Sequence, residues 1–154
     1  MARNTLRGTM TVLLTAALIA GCALSNPQAG EGVRYTLANG EIREPLTTDA
    51  PDAERGRKVL VSREANCILC HAAPETGERF FGNLAPPLSG IGKRLTAPQM
   101  RARIVDPLAF NRESIMPAYY RVQGLNRVAE NLRGKPVLSA TQIEDVIAYL
   151  QTLQ

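Results

Sequence analysis

The stretch Cys67-Ile68-Leu69-Cys70-His71 constrains this chain more than any other. Two thiols three positions apart, with an imidazole directly after the second, form the attachment signature of a c-type haem. In that signature the thiols add across the haem vinyl groups, and the histidine binds the iron from the proximal side. The sequence contains one histidine in all, and it is His71. The other face of the iron is therefore held by a different kind of donor, or it stays open.

Two other uses of a Cys-x-x-Cys pair fit poorly. A thioredoxin-like redox pair wants a βαβ context, which the pattern around residue 67 does not supply. A structural zinc site needs four ligands, and Cys67, Cys70 and His71 are three. For the sixth haem ligand the candidates are methionine, lysine, another weak donor or water. Met1 and Met10 fall in a targeting segment, which leaves Met100 and Met116. Met100 lies in a short helical pattern where an apolar residue serves the core. Met116 stands beside Pro117 in an irregular stretch, where a thioether is free to reach the iron, so Met116 is the expected ligand. A loop methionine that only fills a gap would leave an open haem. His/Met ligation raises the reduction potential and closes the iron, which suits electron transfer. The free nitrogen of a ligating histidine commonly donates to a carbonyl, and Pro86 in Ala85-Pro86-Pro87-Leu88 is the candidate acceptor. Simple stiffening of that loop accounts for the prolines equally well.

The chain opens like an export signal. Met1 to Arg7 is basic without acids, and Met10 to Ala20 is largely apolar. That run falls short of the roughly 20 residues of a comfortable membrane span. The sequence predicts a signal peptide over residues 1–21. Ile19-Ala20-Gly21-Cys22 reads as a lipobox that would leave Cys22 acylated as a lipid anchor. Gly21-Cys22-Ala23 also reads as an ordinary cleavage site that would discard it. Either way the expected location is periplasmic. Without Arg3 and Arg7, 16 basic residues face 14 acidic ones, a net charge of +2. Haem propionates would offset that, so the basic pI of about 9.3 gives no case for nucleic acid. Aromatics are only 5% of residues and tryptophan is absent, so a buried porphyrin would supply much of the missing apolar area.

Residues 22–50 are polar and rich in glycine and proline, and read as an extension or linker. Within them Val33 to Leu37 alternates, and Asn39-Gly40 predicts a small β-hairpin leading into Glu41-Ile42-Arg43. A domain over residues 51–154 follows. Asp52 caps a first helix running to about Ser62. Gly56 inside it is costly unless another backbone approaches closely. Ala72 to Leu95 reads as loop. Thr96-Ala97-Pro98-Gln99 is a capping box opening a short helix that ends at Asp106-Pro107. Leu108 to Lys135 is irregular. Ser139-Ala140-Thr141-Gln142 opens a last amphipathic helix with Ile143, Val146, Ile147, Leu150 and Leu153 on one stripe.

A helix, Cys-x-x-Cys-His, a proline loop, Met-Pro and a C-terminal helix together resemble class I cytochrome c. That resemblance implies an all-α fold around one covalent haem c, with Gly56 and Tyr149 at the crossing of the terminal helices. Longer strings are closer still to the SoxX family, the monohaem subunits of SoxAX sulfur-oxidation cytochromes. These are Gly82-Asn83-Leu84, Pro86 to Gly92, Arg101 to Asp106, Ile115-Met116-Pro117-Ala118-Tyr119-Tyr120-Arg121 and Arg133 to Leu138. Ala85 stands where that family usually has glycine. The likeness implies a SoxA-type partner in a heterodimer, a SoxYZ-type sulfur carrier and a soluble cytochrome as electron acceptor. It also implies that sulfur chemistry takes place on the partner, since no cysteine beyond the haem pair remains in the folded body. A free-standing electron shuttle and an open-haem sensor or peroxidase are the competing readings. Arg94, Arg101 and Arg103 are candidates for a propionate or a partner surface, solvated arginine being the commoner role.

Overall fold

The computed structural model describes residues 33–154; the expected signal peptide and Cys22 lie outside them. Four helices carry the fold: α1 (Ala53–Val61), α2 (Ile91–Arg94), α3 (Ala97–Val105) and α4 (Ala140–Thr152). No described helix is long and apolar enough to cross a membrane. The three longer helices start where their caps dictate. Asp52 accepts from the Arg55 amide at 2.7 Å, and Thr96 and Ser139 each form complete capping boxes with Gln99 and Gln142. The α3 helix stops at Asp106 because Pro107 follows.

Helix α4 is the hub, packed against α1, α2 and α3. Ile143, Val146, Ile147 and Leu150 are buried on it, as is Leu153 just past its end. At the α1–α4 crossing an added Cβ on Gly56 would run into the Asp145 carbonyl and lie 2.8 Å from the Val146 amide nitrogen. That close approach is the reason a helix-weakening glycine stands mid-helix. Asp145, itself buried, takes the Asp52 amide at 2.6 Å and the Arg55 guanidinium at 2.8 and 2.9 Å. It thereby fixes where α1 begins.

Residues 33–46 are not a free linker. Asn39 and Gly40 both have positive φ, and Ala38 and Glu41 exchange two backbone hydrogen bonds of 3.0 Å. The predicted turn is thus present, but it closes a single antiparallel bridge with no flanking strands. The backbone beyond it pairs elsewhere. The Ile42 amide donates to Pro98, and its side chain is 1% exposed. Arg101 donates to the Ile42 carbonyl at 2.7 Å and grips Glu144 with two further bonds of 2.7 Å. The Leu46 amide also donates to Glu144, at 2.9 Å. This buried pair has its hydrogen-bonding groups well occupied, as burial of two charges demands. It ties the segment to α3 and α4.

The Ala72–Leu95 region contains more helix than its composition suggests. It holds a 3-10 turn at Pro74–Thr76 and the single turn of α2. Gly92 sits against the chain end, and its amide donates to the Leu153 carbonyl at 2.8 Å. Glycine content reads as loop, but here the small residue permits helix-to-backbone packing.

Candidate haem site

Asn66 adopts a left-handed conformation (φ 49°, ψ 39°), a state asparagine tolerates better than most residues. It turns the chain into a 3-10 turn at Cys67–Leu69, closed by the Cys70 and His71 amides donating to the Cys67 carbonyl. The result sorts the motif by face. Cys67, Cys70 and His71 line one cavity, whereas Leu69 is 64% exposed. The two cysteines are not joined in a disulfide.

A second segment runs beside this turn. The Gly82 amide donates to Ile68 and the Ala85 amide to Cys70, and Ala85 forms a parallel bridge with His71. An added Cβ at Gly82 would collide with the Leu69 carbonyl, so this is another position that needs the missing side chain. The alanine at position 85 holds its place in the segment without a glycine conformation. Just beyond it, His71 Nδ1 lies 2.7 Å from the Pro86 carbonyl. A carbonyl only accepts, so Nδ1 carries the proton and Nε2 is left as the ring nitrogen able to bind a metal. Arg94 braces this loop by donating to the Pro87 and Ser89 carbonyls at 2.7 and 2.6 Å.

The cavity has about 950 Å³ of empty space including its open mouth, within the size range of cofactor sites. Its wall is overwhelmingly apolar, with Leu60, Leu88, Ile104, Val146 and Leu150 among the lining side chains. Met116 reaches it from the loop after α3 and is half-buried. Met100 reaches it too, from α3, and is 2% exposed. The structure therefore brings both expected thiols, the lone histidine and two thioethers to one pocket. Of the three arginines singled out in the sequence, only Arg103 lines it. Arg101 is committed to Glu144, and Arg94 to the proline loop.

Burial pushes the Cys67 thiol up to about 11. A redox pair of the thioredoxin type needs the opposite shift, toward a thiolate at neutral pH. No group of three His, Cys, Asp or Glu side chains able to hold a metal ion occurs among the described residues. What the pocket does fit is a large apolar macrocycle, with two thiols, an imidazole whose other nitrogen is tied down, and a thioether.

Sequence reasoning passed over Tyr119. It lines the cavity, is 6% exposed, and donates from its hydroxyl to the Ala65 carbonyl at 2.6 Å. It lies within the Met-Pro-Ala-Tyr string, but nothing local reveals a partner 54 residues earlier.

The cytochrome c family model matches residues 53–154. No curated protein matches the chain. Among solved structures, SoxXA from P. pantotrophus aligns with a TM-score of 0.71 and 33% identity, over 77% of this chain and 93% of that one. The family binds haem c covalently, and the cavity meets the requirements of that group. When bound, haem c supplies an iron that gains and loses one electron. The chain therefore belongs to the cytochrome c family, as a SoxX-like electron-transfer member that carries covalent haem c.

Proposed function

We propose that this chain is the electron-outlet subunit of a SoxAX-type complex. The observation that carries the proposal is the convergence of Cys67, Cys70, His71 and Met116 on one apolar cavity. Cys67 and Cys70 anchor the haem. His71 would bind the iron through Nε2, its ring and tautomer fixed by the Pro86 carbonyl at Nδ1. Met116 would supply the remaining ligand to the iron, a thioether that would raise the potential and deny substrate access to the metal.

The reaction served is the joining of thiosulfate to a cysteine of a SoxYZ-type carrier. A bond forms between the cysteine sulfur and the outer sulfur of thiosulfate, the thiol proton leaves, and two electrons are released. With Cys67 and Cys70 committed, no cysteine among the described residues is left to take part in sulfur transfer. The bond-making step therefore falls to a SoxA-type partner subunit. This chain takes the electrons one at a time and passes them to a soluble cytochrome. It works in the periplasm, exported by residues 1–21, with Cys22 either acylated or removed. The similarity to a SoxXA structure supports the choice of partner.

Coexpression with a SoxA-type subunit tests the assignment. The tagged partner is expected to retain this chain in a one-to-one complex through size exclusion. A chain that elutes as a haem-loaded monomer beside its coexpressed partner would contradict the proposal and favour a free-standing shuttle.

A further inference from the structure

Tyr119 is held at three points that belong to different parts of the pocket. Its amide donates to the Ile104 carbonyl on α3 at 3.1 Å, and its carbonyl accepts from Leu138 at 3.0 Å, just ahead of α4. Its hydroxyl reaches Ala65, two residues before Cys67, and lies against the Cys67 thiol as well. A phenol buried in an apolar wall needs such a partner. Burial pushes the phenol upward from its ordinary value, so it remains a donor at any physiological pH. Met116 stands only three residues before Tyr119 and is itself anchored on its other side, its amide donating to the Ser114 hydroxyl at 3.2 Å. The Tyr119 hydroxyl is thus a direct bond between the wall that carries the thiols and the segment that carries the thioether.

We propose that Tyr119 is a positioning residue whose hydroxyl bond to Ala65 holds Met116 on the haem iron and sets how often the thioether leaves it. The inference rests on Met116 as the sixth ligand. Carbon monoxide binds reduced haem only while the sixth position is open, so its binding rate reports the released population. Tyr119→Phe removes one oxygen and leaves the ring to fill its place, so packing is kept. In the holoprotein, a buried hydrogen bond lost with its acceptor stranded corresponds to roughly a tenfold rise in the released population.

The experiment compares wild-type and Y119F holoproteins by carbon monoxide binding to the reduced form. It also follows the weak red charge-transfer band of the oxidised form during heating. Carbon monoxide is expected to bind Y119F roughly tenfold faster, and the band to fade well below the unfolding transition. An unchanged rate, or a band that persists in Y119F until the helices unfold, would reduce Tyr119 to a core side chain and overturn the inference. Failure of the underlying reading looks different. Wild type itself would then lack the band and bind carbon monoxide without delay.

Discussion

Met116→Ala holoprotein is expected to lose the weak red charge-transfer band of the oxidised state and to bind carbon monoxide readily when reduced. Alanine offers no donor, and the cavity wall is overwhelmingly apolar. The reduction potential is expected to fall by on the order of 0.1 V or more, within the roughly 0.8 V span that axial ligands command. Met100→Ala is the necessary comparison, because Met100 also lines the cavity. It is 2% exposed on α3, so its loss should cost about 2–5 kcal/mol of stability through an unfilled void. Its band should stay. If M100A loses the band and M116A keeps it, the ligand has been assigned to the wrong methionine.

Gly56→Ala is expected to be strongly destabilising although it adds a single methyl group. The added carbon meets the Asp145 carbonyl and the Val146 amide, which are backbone atoms and have no rotamer to retreat into. Helices α1 and α4 would have to part, and with them the Asp145 contacts that set the start of α1. Overpacking of flexible side chains costs about 1–3 kcal/mol, and a backbone clash lies at the upper end or beyond. For a domain of this size that corresponds to a fall in Tm of roughly 10 °C or more, read by circular dichroism on holoprotein. A shift within a degree or two of wild type would show that the crossing is looser than the structure has it.

What the sequence makes legible follows from the range of the forces involved. Helix starts depend on side chains within three residues, so Asp52, Thr96 and Ser139 can be read directly. The haem motif is equally local, since one turn places both thiols and the imidazole. The lone histidine carries that reading further, because it leaves only a weak donor for the opposite face. Residues 33–46 read as linker because their anchors are distant: Arg101 and Glu144 lie 58 and 98 residues from their partners Arg43 and Leu46. The Asn39-Gly40 turn was legible, but the absence of flanking strands was not, since the next amide pairs with α3. The α2 turn hides behind its glycines, of which Gly92 is there for contact with the last residues of the chain. Tyr119 likewise depends on a carbonyl that no local pattern marks.

If this chain is the electron outlet proposed above, electrons released by sulfur conjugation leave through its haem. The direct measurement is anaerobic mixing of the oxidised complex, assembled with its SoxA-type partner, with thiosulfate and a reduced SoxYZ-type carrier. Absorbance of this chain's haem is followed in wild type and in M116A. The account predicts that the wild-type haem is reduced only when carrier and thiosulfate are both present, and that reduction in M116A is slowed or incomplete as its potential falls. A haem that stays oxidised while conjugated carrier accumulates would contradict it.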